Sequence, residues 1–162
     1  MRLRPVFLAL MLIHAPTLAR DSLGVFGTWA AFRDPAVPRC YAIAEPDKIS
    51  NGAKSFQPYA DVGNWPRRNI HGAVHFRLAR RIAPNSPITL SLAGQHFALV
   101  GGGADAWSAD ARMDAAIVAA MRSADGMAVM ARDASSHSFT ASWKLAGAAT
   151  AMDSALVGCA AH

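Results

Sequence analysis

Ile70-His71-Gly72-Ala73-Val74-His75-Phe76-Arg77-Leu78-Ala79 sets Ile70, Gly72, Val74, Phe76 and Leu78 in alternation with His71, Ala73, His75, Arg77 and Ala79. A period of two is the side-chain repeat of an extended strand, so the stretch predicts a strand with one apolar face turned inward. After it, Pro87 to Leu92 and Gln95 to Val100 flank Ala93-Gly94 and read as a hairpin with a tight turn, ended by Gly101, Gly102 and Gly103. Ser108 is placed to cap a helix in which Met113, Ala116, Ile117, Ala120 and Met121 recur at helical spacing. Asp110 is well placed for the dipole of that helix, and Gly126 closes the segment. Met127 to Ala131 and Ser138 to Leu145 read as two strands around a turn at Asp133 to His137, and Thr150 to Cys159 as a last short helix. Before the central strand, Val25 to Phe32 reads as a strand running into Asp34-Pro35, with Cys40 to Ala44 as its hairpin partner. From Pro46 to Asn69 the chain is polar, contains Pro and Gly, and reads as a long excursion with at most one short strand around Phe56 to Ala60. The expected fold is mainly β, an antiparallel β core with one firm helix and a short C-terminal helix, with no linker dividing it.

The chain has 162 residues, which suits one domain. Its 52% hydrophobic and 17% charged content excludes a disordered solvating chain. Twelve Gly and nine Pro follow no G-X-Y period, and no longer repeat recurs, which excludes collagen and solenoids. At the start, Arg2 and Arg4 precede the apolar run Val6 to Ile13, and Pro16 lies shortly before the small residue Ala19. This is the layout of a secretory signal peptide over residues 1–19, cut after Ala19, leaving residues 20–162 as a single domain. The run is about 8 residues, short of the roughly 20 that cross a bilayer. No transmembrane span is therefore expected after cleavage. Without Arg2 and Arg4 the formal charge falls from +5 to +3. No helix carries the clustered basic face that nucleic acid requires, so DNA and RNA are excluded as partners. Modest positive charge is compatible with an anionic envelope component.

Cys40 and Cys159 are the only two cysteines. An oxidising compartment would join them as a disulfide, closing a loop of about 119 residues that the chain-entropy model values at roughly 5 kcal/mol. The alternative is two free buried thiols. Neither cysteine lies in a C-x-x-C pair or beside His, and nothing marks either as catalytic.

Four segments carry a resemblance. Phe26-Gly27-Thr28-Trp29-Ala30-Ala31-Phe32, Arg39-Cys40-Tyr41-Ala42-Ile43-Ala44, Asp114-Ala115-Ala116-Ile117-Val118-Ala119-Ala120-Met121-Arg122 and Leu145-Ala146-Gly147-Ala148-Ala149-Thr150-Ala151-Met152 resemble, in that order, the invasion-associated locus B family. The resemblance implies an exported bacterial protein, periplasmic or at the cell surface, with an immunoglobulin-like or related antiparallel β-sandwich, associated in some pathogens with entry into host cells. Its motifs are structural and specify a fold better than a chemistry. The family commonly carries a Cys four residues after the first-strand Trp; here that position is Arg33, which again leaves Cys40 to pair with Cys159.

Candidate chemistry is sparse. His71 and His75 are four residues apart, but on a strand that separation spans about 13 Å, too far for one ion. They read instead as a solvent-facing stripe with Arg77, and His96 and His137 lie on other segments. No metal and no cofactor is expected. The Gly101 to Gly103 run before a helix has the outline of a phosphate loop but lacks its lysine and hydroxyl. No G-x-S-x-G occurs, so no catalytic residue is assigned. Tyr59, Trp65, Arg67 and Arg68, in the polar excursion, have the composition of a recognition surface and are the candidate binding residues. Arg80 and Arg81 add charge beyond the central strand. Trp29 and Trp143 lie in strand-like runs and read as structural plugs between sheets, while Trp107 is placed to staple the turn before the helix. The expected function is that of an exported, non-enzymatic envelope or surface protein that binds an envelope or host component. The alternatives are a periplasmic small-ligand carrier or enzyme, and a purely structural envelope module.

Overall fold

A computed structural model describes residues 19–50 and 52–160. The leader expected over residues 1–19 lies, apart from Ala19, outside the described residues. The chain builds β1 (Asp21–Phe26), β2 (Trp29–Asp34), β3 (Arg39–Ala44), β4 (Lys48–Ile49), β5 (Tyr59–Trp65), β6 (Ile70–Arg77), β7 (Ile88–Leu92), β8 (Gln95–Gly102), β9 (Asp105–Trp107), α1 (Ala111–Met121), β10 (Gly126–Arg132), β11 (Ser138–Lys144) and α2 (Ala148–Ala160). The eleven strands form a sheet in the order β1-β2-β3-β5-β6-β9-β8-β7-β10-β11-β4. Every pairing between them is antiparallel. The fold is thus the mainly-β architecture with two helices that the residue patterns predict, and it is sandwich-like, as the family resemblance implies. Its two walls are joined edge to edge by β8, which pairs with β7 through Gln95 to Leu99 and with β9 through Val100 to Gly102.

Between the walls lies one hydrophobic cluster that takes Ala42, Val62 and Phe76 from one side and Leu90, Val129 and Trp143 from the other. Both tryptophans of the strand-like runs are buried there. Trp29 donates its indole N–H to the Lys144 carbonyl at 2.9 Å, and Trp143 donates to Ala44 at 3.2 Å, so each ring is satisfied across the walls. α2 lies on β1, β2 and β3 through Met152 and through Ala148, Ala151 and Ala155, whose small side chains let its backbone come close. A disulfide joins Cys40 on β3 to Cys159 in the last turn of α2. Among the described residues no helix is long and apolar enough to cross a membrane.

Four local expectations are corrected. Val25 to Phe32 is not one strand, because the chain turns at Gly27-Thr28 and β1 folds back on β2. The excursion from Pro46 to Asn69 holds β5, a seven-residue strand paired on both sides, between β3 and β6. Its polar positions Asp61 and Asn64 are buried because each has a partner, His75 for the first and the Gly72 N–H for the second. The cap of α1 is Asp110, which accepts the Met113 N–H at 2.8 Å, whereas Ser108 donates to the Asp114 carboxylate. Gly101 and Gly102 belong to β8, and the chain turns at Gly103-Ala104 into β9, so no strand-to-helix loop exists there to cradle a phosphate.

Candidate functional site on the outer face of the sheet

Alternation along β3, β5, β6 and β9 sends Ala42, Val62, Val74 and Phe76 into the core and leaves the intervening side chains on the opposite, outer face. Cross-strand register then assembles that face. Ile43, Asp61, His75, Trp107 and Val100 are successive neighbours in one row across β3, β5, β6, β9 and β8. Tyr59, Arg77 and Asp105 form the next row, and Tyr41, Gly63 and Ala73 the row on the other side.

At the centre, His75 lies between two carboxylates. Its Nδ1 is 2.8 Å from Asp61 Oδ1 and its Nε2 is 3.0 Å from Asp105 Oδ1. Arg77 Nη1 donates to both Asp105 oxygens at 3.0 and 2.9 Å. Asp61, 5% exposed, is the most enclosed of the three acidic and basic groups around the ring. Neutral imidazole carries one N–H and could donate to only one carboxylate; imidazolium donates to both. Burial opposes that charge, but the hydrogen bonds and charges of Asp61 and then Asp105 outweigh it and hold the imidazole above its ordinary value of 6.5. Tyr59 meets the imidazole edge-on at 5.5 Å, and its phenol is raised by burial and by Asp61 and Asp105, against the opposing pull of Arg77 and Arg39. Trp107 stacks on His75 with ring centres 5.3 Å apart and remains 44% exposed. With both ring nitrogens engaged, His75 is poorly placed as a general base and well placed as a fixed cation under an exposed indole. The two carboxylates address opposite sides of the ring and so converge on no common point.

The rim of the same face carries a second group. β5 is irregular between Gly63 and Trp65, and the Trp65 ring folds back over Gly63. A Cβ at Gly63 would come within 2.6 Å of Trp65 Cζ3 and Cη2, so the absence of a side chain there lets the indole lie against the strand. The Arg39 guanidinium sits 4.4 Å from the Tyr41 ring centre and 5.9 Å from that of Trp65. A 3-10 turn, Pro66–Arg68, follows, stopped by Asn69 in the left-handed conformation, and presents Arg67 and Arg68 to solvent. Among the described residues neither arginine has an acidic partner. Arg39 and Arg67, with Pro38, Pro66 and the Cys40–Cys159 bridge, line a depression of about 350 Å³.

Of the four candidate binding residues, Trp65, Arg67 and Arg68 are therefore together. Tyr59 is at the other end of β5, about 20 Å away along the strand, in the His75 cluster. His71 is exposed at the start of β6, His96 pairs with Ser91 and His137 lies by Asp133, so the histidines do not gather. Arg80 is corrected from surface charge to structural residue. It is 9% exposed, lies over Phe139, and donates to Asp133, to the Ser50 carbonyl and to the Ala53 carbonyl. Trp107 is corrected from a staple of the helix turn to an exposed ring on the sheet. Asp61, Asp105 and Arg39 carry no site signal in the sequence, and His75 and Arg77 read there only as an exposed stripe; the parity that sets Asp61 on the same face becomes visible only once β5 is recognised.

No protein-family model, no curated protein and no solved structure matches this chain.

Proposed function

We propose that the chain is an exported, non-enzymatic protein of the invasion-associated locus B type that binds an anionic component of the envelope or of a host surface. One observation carries this reading: Arg67 and Arg68 stand exposed, without acidic partners among the described residues, beside Arg39 and Trp65. Cations not neutralised within their own protein attract anions, and a guanidinium already stacked on aromatic rings loses little further freedom when it binds. The leader layout and the Cys40–Cys159 bridge favour an oxidising compartment outside the cytosol. The test is retention on an immobilised envelope fraction. R67A/R68A is expected to lose most of it at low salt, with little difference left at high salt. Unchanged retention overturns the proposal.

A small-ligand carrier or enzyme is the second reading, favoured by the gathering of three titratable groups, Asp61, His75 and Asp105, from three strands onto one face. It predicts that H75Q abolishes activity or uptake of a small molecule while R67A/R68A leaves both unchanged.

A further inference from the structure

We infer that the outer face of the sheet is a binding site for an acidic polysaccharide, with Trp107 as the ring on which a sugar stacks and the Arg39, Arg67 and Arg68 rim as the seat of its carboxylates. The inference rests on the anionic-partner reading above and names its chemistry. Trp107 and its cross-strand neighbour Val100 are 44% and 51% exposed, an apolar surface about one ring across. Charge adjoins it on two sides: His75 stacks on the indole, and Asp105 and Arg77 stand in the adjoining row. A pyranose has this alternation, a C–H face complementary to the negative π-face of an indole and a perimeter of hydroxyls. Arg77 spends only Nη1 on Asp105. Its remaining N–H groups and the second lone pairs of the Asp105 carboxylate thus offer a fixed donor and acceptor to neighbouring hydroxyls.

Two other macromolecules fit less well. A lipid surface needs a continuous apolar patch, which the charges around Trp107 interrupt. An extended peptide adds to a sheet through free main-chain groups, but β5 and β9 are paired on both sides, and so is β6 where it underlies the His75 and Trp107 rings, from His75 to Arg77. The second aromatic platform, Trp65 over Gly63, lies two strands across and two residues along from Trp107, roughly 12 Å by strand geometry. That is the span of a short oligosaccharide. The arginines at the Trp65 end give the face the charge complementary to an acidic chain.

The test titrates the purified full chain with polygalacturonate, with a neutral glucan of similar length and with phosphatidylglycerol vesicles, at low and high salt. Polygalacturonate is expected to bind best. W107A should weaken it about tenfold at both salt concentrations, the size of one aromatic stacking contact, and W107F should restore most of the loss. R67A/R68A should weaken it chiefly at low salt. Far-ultraviolet circular dichroism and the unfolding midpoint establish that each variant is folded. If vesicles bind and polygalacturonate does not, or if folded W107A binds polygalacturonate like the parent, the polysaccharide inference falls and the anionic-partner reading stands. If neither anion binds, both fall.

Discussion

His75 donates toward Asp61 on one side and Asp105 on the other, and its protonated form is favoured by the fold although burial opposes it. A group whose folded pKa lies above its unfolded value contributes stability in full below the unfolded value, here about 6.5, and loses it as pH rises through the folded pKa. Unfolding free energy is therefore expected to fall with rising pH across that interval. NMR titration of the imidazole should place its midpoint above 6.5, and D61N should lower the midpoint and flatten the stability slope. A parent midpoint at or below 6.5 contradicts the assigned geometry. Trp143 is a second residue with a definite expectation. W143A removes a buried indole from beside Phe76 and leaves the Ala44 carbonyl without its donor, which should cost about 3–5 kcal/mol in urea unfolding. Tyr59, Trp65, Arg67 and Arg68 were legible as candidates because composition within one segment reveals them. Asp61 and Asp105 were not, since they meet His75 across 14 and 30 residues of chain, and register rather than sequence proximity brings them there. Arg80 misled for a related reason: its partners Ser50, Ala53 and Asp133 come from distant loops, and only their convergence makes a buried guanidinium tolerable.

At the level of elements, strands with one clean apolar face were legible to within a residue or two. β6, β7, β10 and β11 alternate, and Ala93-Gly94 forms the turn between β7 and β8 with both residues at positive φ. β5 was hidden because its outer face carries Asp61 and its inner face Asn64, polar residues that break the alternation and are satisfied only by neighbours from β6. The hairpin of β1 and β2 was hidden because its two-residue turn, Gly27-Thr28, is flanked directly by Phe26 and Trp29, so the apolar run reads as one strand. α2 was legible, and its start depends on one position. Gly147 has φ +90°, and a Cβ there would run into the Phe26 carbonyl, a backbone group at the end of β1 with no room to withdraw. G147A is expected to cost on the order of 1–3 kcal/mol from backbone conformation alone, and more from displacement of the helix off β1. Urea unfolding measures the loss, and a variant as stable as the parent would show that α2 is not held at this point.

For the whole molecule, the placement of the single cross-link matters more than its existence. Cys40 is on β3, inside the first wall, and Cys159 is in the last turn of the final helix, so the bridge spans a sequence separation of 119 and closes a loop that runs from β3 to α2 and leaves β1 and β2 outside it. A loop that long restricts the unfolded chain far more than a local bridge, and the entropy model sets an upper value of about 5 kcal/mol, with about 2 kcal/mol at the lower end of typical measured effects. Reduction should therefore lower the unfolding free energy by an amount within that range, which is read as a fall in the urea midpoint. It should also raise the slope of the transition, because an unfolded chain without its cross-link exposes more surface. The native sheet needs no help from the bridge to stay paired, since its ladders and the Trp29 and Trp143 contacts across the walls are independent of it. The reduced protein is thus expected to keep its near-ultraviolet circular dichroism in buffer while unfolding earlier in urea. If reduction left midpoint and slope unchanged, the bridge would be an ornament of the C-terminal turn; if it abolished the native spectrum in buffer, the two walls would owe their closure to the sulfur atoms rather than to the core between them.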